Sequence, residues 1–183
     1  MLGARNTSHA VDEVASSSAP ATHRITVRHM FETAHRLPHL GGKCTSLHGH
    51  SWRVAVPVLA TSLESTDLTI VEFGAFKAGI RRWIDTHLDH GTMLGAQDPL
   101  VDPLVAAGCK VFRFGNDRVD VTEAEVVAAS LAWPTVEAVA VVLWRISQIV
   151  LTGLPHASGA RVGRVHVRET QVNSADYGPA DNS

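Results

Sequence analysis

Two runs of strict alternation joined by a short loop constrain what this chain can fold into more than anything else in its sequence. From Arg24 onward, Ile25, Val27, His29 and Phe31 alternate with Thr26, Arg28, Met30 and Glu32, the period-2 signature of a strand with one buried face. From His50 to Ala60, Trp52, Val54, Val56 and Val58 share one face in the same way. Folded back on each other, the two runs make an antiparallel pair. Pro57 removes one ladder donor, which predicts an edge or a bulge there.

Beyond this pair the period changes. Phe73, Phe76, Ile80, Ile84 and Leu88 follow helical spacing over residues 72–88, with Gly91 placed to stop the helix. Val139, Leu143, Ile146 and Val150 predict a second helix over 134–151, with Pro134 in its first turn and Gly153 and Pro155 ending it. Alternation returns over 162–169, and 175–177 suit a short fourth strand. Residues 92–133 are less regular, with a strand expected at 110–114, a turn at Gly115-Asn116-Asp117 and a short helix at 122–130. With 45% hydrophobic and 19% charged residues, a real core can form. Strand, strand, helix, helix, strand, strand predicts a single α+β domain over 24–177, a four-stranded antiparallel sheet with both helices on one face. Residues 1–23, rich in Ser, Ala and Thr, read as a flexible arm, and 178–183 as a flexible tail. The uncovered sheet edges call for pairing, and oligomerisation is one solution.

A net charge of -2 advertises neither direct nucleic-acid binding nor an anionic membrane surface, so small molecules or proteins are the expected partners. Cys44 and Cys109 are too few for a disulfide framework, and no apolar run approaches the roughly 20 residues of a membrane helix. With no apolar leader at the N-terminus, a cytoplasmic protein is expected.

The chemistry concentrates in Cys44-Thr45-Ser46-Leu47-His48-Gly49-His50. In extended backbone His48 and His50 project from one face, and Gly49 allows close backbone approach. His35 sits at the end of the first strand, so antiparallel pairing brings all three imidazoles together. Three imidazoles with an open fourth position are the ligand set of catalytic rather than structural zinc. Cys44 reads equally as a fourth ligand, as a thiolate catalyst or as a small buried hydrophobe.

Further blocks accompany this one: Val71-Glu72-Phe73 opening a helix, Leu88-Asp89-His90, Pro134-Thr135-Val136-Glu137, and Glu169-Thr170. In order and context they resemble the 6-pyruvoyl-tetrahydropterin synthase and 6-carboxy-tetrahydropterin synthase superfamily, over residues 24–177 apart from a stretch near 95–132. The three residues between Cys44 and His48-Gly49-His50 resemble the 6-carboxy branch, the pyruvoyl branch having a longer spacing. The resemblance implies a T-fold (tunnelling fold) that trimerises into a barrel, often as a dimer of trimers, with active sites at subunit interfaces. It implies zinc held by His35, His48 and His50, and Cys44 as the proton-abstracting thiolate. Asp89 and His90 would be its partner dyad, with Glu169 anchoring the pterin ring and Thr135 and Glu137 lining the pterin pocket.

The implied activity is a zinc-dependent carbon–oxygen lyase. It would convert 7,8-dihydroneopterin triphosphate to 6-carboxy-5,6,7,8-tetrahydropterin, releasing acetaldehyde and triphosphate, on the way to 7-deazaguanine compounds such as the queuosine precursor. A pyruvoyl-forming synthase and a zinc- or pterin-binding T-fold protein without turnover are the competing readings. Adjacent residues do not face each other in a helix, so an Asp89–His90 hydrogen bond requires the helix to end there. The sequence departs from the family pattern at Glu72 (commonly Asp), at Ala138 (commonly Asn) and through an insertion near 116–133, while Trp52 takes the aromatic slot after His48-Gly49-His50. Cys109 reads as structural, and Trp83 and Trp144 as packing.

Overall fold

The alternating runs form two long strands, β1 (His23–His35) and β2 (His48–Ala60). They pair antiparallel along their whole length, from His23 opposite Ala60 to His35 opposite His48. The structure is a computed structural model that describes residues 22–115 and 121–179. Of the expected arm and tail, residues 1–21 and 180–183 lie outside the described residues, as do Asn116 and Asp117 of the expected turn. His23, assigned to the arm by composition, already opens β1.

Pro57 is tolerated for a reason the register makes plain. Its carbonyl accepts from the Gly163 amide at 2.9 Å, so its missing N–H points to the same side. There the neighbouring chain breaks, with β5 (Arg161–Val162) pairing Val58 and Leu59 while β6 (Val165–Arg168) pairs Arg53–Ala55. The single strand expected over 162–169 is therefore two. β7 (Ser174–Tyr177) then pairs with β6.

The expectation of an α+β domain holds, but that of a four-stranded antiparallel sheet does not. The sheet has seven strands, ordered β4-β3-β1-β2-β6-β7 with β5 also on β2. The additions are β3 (Gly91–Gly95), which was not expected, and β4 (Val111–Phe114), the strand expected at 110–114, and both β1–β3 and β3–β4 are parallel. Met93, Leu94 and Gly95 are all buried, so β3 shows none of the alternation that marks a half-buried strand. A short helix, α2 (Val101–Ala106), connects β3 to β4 and was likewise not expected.

Helix α1 (Phe73–His87) buries Phe76, Ile80 and Ile84 against the sheet, each contributing about 2 kcal/mol of hydrophobic stabilisation. Phe73, expected on that stripe, is 47% exposed. Glu72 is the N-cap, accepting from the Gly74 and Ala75 amides, which gives this departure from the family pattern a local role. Helix α3 (Val136–Thr152) starts two residues later than predicted because Thr135, not a residue before Pro134, is its cap, accepting from Ala138 N–H at 3.2 Å. Both helices share one core with the sheet, built on Trp52, Val54, Val56, Ile80, Val139 and Leu143. The helix expected at 122–130 is a short 3-10 turn, Glu123–Ala128. Trp83 and Trp144 pack edge-on against Phe112 and Tyr177, as expected, whereas Cys109 is exposed. Among the described residues no helix is long and apolar enough to cross a membrane.

Candidate metal centre

The closed end of the β1–β2 pair gathers three imidazoles. His35 lies opposite His48 and Thr33 opposite His50, so the alternation puts all three rings on the helix-covered face. One nitrogen from each of His35, His48 and His50 lies within 4.8 Å of the others. Beneath them Trp52 is fully buried, donating to the Thr33 carbonyl at 3.1 Å and meeting the His35 ring edge-on at 5.1 Å.

Two ligands are oriented by backbone carbonyls. His35 Nδ1 lies 2.9 Å from the Pro134 carbonyl and His48 Nδ1 lies 2.8 Å from that of Ser46. A carbonyl only accepts, so each ring carries its proton on Nδ1 and presents a bare Nε2. Burial pushes the His35 pKa down to about 4; the Pro134 carbonyl opposes this, while His48 and His50 reinforce it. Desolvation also lowers that of His50, against the pull of the Glu169 carboxylate.

A metal ion fits this donor set. His35 Nε2 is buried with no hydrogen-bond partner, yet Glu169 Oε1 lies only 3.3 Å away. A neutral ring bonded to Pro134 turns a lone pair toward that oxygen, and moving the proton to Nε2 merely turns the lone pair toward the carbonyl instead. Protonating both nitrogens is opposed by the burial. A cation among the three nitrogens removes the conflict.

The other sequence-selected residues lie around this cluster in separate places. Cys44 is half-buried in the 3-10 turn Gly42–Thr45, its carbonyl accepting from Leu37 N–H at 2.7 Å. Asp89 and His90 do form a pair, with His90 Nδ1 to Asp89 Oδ2 at 2.7 Å. The helix ends at His87, and His90 itself, rather than Gly91, takes the left-handed backbone (φ 53°) that turns its ring onto its neighbour. Asp89 Oδ1 accepts from Glu32 N–H at 2.8 Å. Partial burial raises the Asp89 pKa, but the Glu32 amide, His90 and Lys110 outweigh it and hold the carboxyl below its usual range. A shallow groove of about 310 Å3, lined by Glu32, Thr33, His50 and Gly91 among others, runs between His50 and the strand that follows the dyad. Among the described residues no hydrogen bond joins the thiol, the dyad and the histidines. Thr135 spends its hydroxyl on capping α3, and Glu137 is exposed in the first turn of that helix.

A cavity of about 460 Å3 lies elsewhere. It is bordered by Arg28, Arg53, Lys77, Arg81 and Arg168 along the part of β1 that β3 leaves unpaired. Sequence reasoning missed the two orienting carbonyls, since a backbone acceptor carries no residue signature. It also missed Asp98, whose buried carboxylate meets Arg36 Nε at 2.9 Å and ties the residue after His35 to the loop following β3. A lone aspartate in an unassigned stretch offers no signal.

Fold and site together define a small α+β protein with a preassembled three-imidazole cluster at a hairpin mouth. The family model for 6-pyruvoyl tetrahydropterin synthase matches residues 24–180, and the chain belongs to that family. Among curated relatives, a Synechocystis protein named 6-carboxy-5,6,7,8-tetrahydropterin synthase is 38% identical over 82 residues, covering 42% of this chain and 64% of that one. A Rickettsia conorii protein of the same name is 29% identical over 96 residues, 51% of this chain and 69% of that one. The chain thus aligns with about two thirds of the length of these relatives. The fold is shared with an uncharacterized protein from Wolinella succinogenes (TM-score 0.60, 19% identity, 86% of this chain and 98% of that one). It is shared also with the 6-pyruvoyl tetrahydropterin synthase of Caenorhabditis elegans (TM-score 0.55, 18% identity, 87% and 97%).

Proposed function

We propose that this chain is a zinc-dependent lyase that converts 7,8-dihydroneopterin triphosphate and one water to 6-carboxy-5,6,7,8-tetrahydropterin, releasing acetaldehyde and triphosphate, in the biosynthesis of 7-deazaguanine compounds. The observation that carries the reading is the buried, unpartnered His35 Nε2 facing both its sister imidazoles and the Glu169 carboxylate. The names of the curated relatives and the short spacing from Cys44 to His48 support the 6-carboxy branch.

His35, His48 and His50 would hold the zinc, whose Lewis acidity stabilises negative charge on substrate oxygen when a carbon-bound proton leaves. Cys44, as thiolate, removes that proton, and His90 returns one from the opposite side. Asp89 fixes the tautomer and orientation of the His90 ring through the 2.7 Å hydrogen bond. Glu169 accepts paired N–H donors from the pterin's guanidine-like edge, and Thr135 and Glu137 line the same pocket. Thiol and dyad are not joined within one chain, and this supports a site completed by a second copy in a trimer or dimer of trimers.

The family description favours a second reading, a synthase that eliminates triphosphate from the same substrate and retains the side-chain carbons as a pyruvoyl group. Incubating zinc-loaded protein with 7,8-dihydroneopterin triphosphate and identifying products by mass spectrometry separates the two. The 6-carboxy product with stoichiometric acetaldehyde is expected. A pyruvoyl product without acetaldehyde gives the second reading, and no turnover at full zinc occupancy contradicts both.

A further inference from the structure

Trp133 closes the inserted stretch and lies outside every motif described above. Its indole stacks on the His39 imidazole, with ring centroids 4.6 Å apart and planes 22° apart. His39 sits in the 3-10 turn Pro38–Leu40, at the start of the loop that carries Cys44. That turn and the Cys44 turn are directly joined by the hydrogen bond from Leu37 N–H to the Cys44 carbonyl, and the two are hinged by Gly41 and Gly42, both at positive φ. Most of the remaining loop, including Leu40, Lys43, Thr45 and Leu47, is exposed. Among the described residues, buried Leu37 and the Arg36–Asp98 pair hold the loop's root, the His48–Ser46 hydrogen bond holds its far end, and the stack ties its middle to the body of the protein.

The other side of the stack is rigid. Glu125 takes hydrogen bonds from the Arg113 amide (2.9 Å) and guanidinium (2.8 and 2.7 Å) and from Thr122 N–H (3.0 Å), which straps the insertion to β4. Arg145 on α3 holds the Val127 carbonyl at 2.5 Å, and Gly115 N–H reaches the Ala128 carbonyl at 3.1 Å. The strap ends pressed onto β3: a Cβ at Gly95 would sit 2.8 Å from the Trp133 ring and 2.9 Å from the Ala132 oxygen. Next in the chain is Pro134, whose carbonyl orients His35.

We propose that Trp133 is a positioning residue for Cys44. The insertion is a brace whose terminal indole, stacked on His39, holds the thiol-bearing loop in register with the histidine cluster. Its catalytic consequence rests on the role assigned to Cys44 under the proposed function, but its effect on the loop does not.

The test uses full-length, zinc-loaded protein carrying Cys109→Ser, so that Cys44 is the only thiol. Variants Trp133→Ala, Trp133→Phe and His39→Ala are compared for the rate of Cys44 alkylation by iodoacetamide, for zinc content, and for kcat and KM with 7,8-dihydroneopterin triphosphate. Losing the stack should raise alkylation about fivefold in Trp133→Ala and His39→Ala. It should lower kcat about tenfold with little change in KM or zinc content, while Trp133→Phe stays near wild type. Unchanged alkylation and kcat in folded Trp133→Ala, or in His39→Ala should the tryptophan variant fail to fold, overturns the inference. If the parent shows no turnover, the proposed function fails while the alkylation rates still decide this point.

Discussion

The conflict at His35 is what makes the site chemically specific. A buried imidazole whose Nδ1–H donates to the Pro134 carbonyl turns a lone pair toward Glu169, and a cation held among the three imidazoles would reconcile the two. His48→Ala should therefore cost at least about 100-fold in zinc affinity, read by competition with a chromogenic chelator; unchanged affinity would remove His48 from the ligand set. Glu169 is the residue whose role the structure enriches, since it faces the cluster rather than standing apart as a pterin anchor. Glu169→Ala should raise KM about tenfold or more through lost charge-assisted hydrogen bonds, and steady-state kinetics with unchanged KM and kcat would reject the anchoring role. At this scale the imidazole cluster was legible because period-2 spacing places His48 and His50 on one face. The Pro134 and Ser46 carbonyls were not, because any residue type supplies a carbonyl.

At the scale of elements, residues 121–133 are tied to β4 through Glu125 and to α3 through the Val127 carbonyl. Burial raises the Glu125 pKa, but the Arg113 and Thr122 donors outweigh this and keep the carboxyl below its ordinary value. A depressed folded pKa means stability that is present above the unfolded carboxyl's pKa and lost as pH falls through the folded one. Wild-type protein should thus lose stability steeply as pH drops below about 4.5, and Glu125→Gln should flatten that limb in denaturant titrations. An equal slope in the variant would show that the strap does not depend on the charge. Glu125→Ala, which removes a buried carboxylate that accepts four hydrogen bonds, should cost about 3 kcal/mol at neutral pH. The long strands and two major helices were readable from their periods. β3 was hidden because it is short and buried on both faces, and α2 because six residues with Pro103 inside hold less than two turns. The break between β5 and β6 was invisible because it answers to Pro57, a residue on another strand.

For the whole molecule, β3 covers β1 only from Thr33 to His35 and the Asp89–His90 turn caps Glu32, so among the described residues no strand flanks residues 25–31 on that side, and β7 ends the sheet on the other. Among the described residues no hydrogen bond joins the thiol to the dyad. A closed ring of copies, as in the proposed trimer or dimer of trimers, would cover the free strand and complete the site. Light scattering on the purified protein should give three or six times 19.6 kDa, and an active monomer would contradict the shared-site account. The count of strands was not legible in the sequence, whereas uncovered sheet edges were, and oligomerisation is one way of covering them. The central claim is that three histidines hold a zinc ion on which pterin chemistry depends. Its most direct test is product formation from 7,8-dihydroneopterin triphosphate before chelation, after it, and after zinc is returned. The account predicts that 6-carboxy-tetrahydropterin and acetaldehyde vanish on chelation and reappear as occupancy is restored to one zinc per three-histidine cluster. Turnover that persists in fully metal-stripped protein would contradict it.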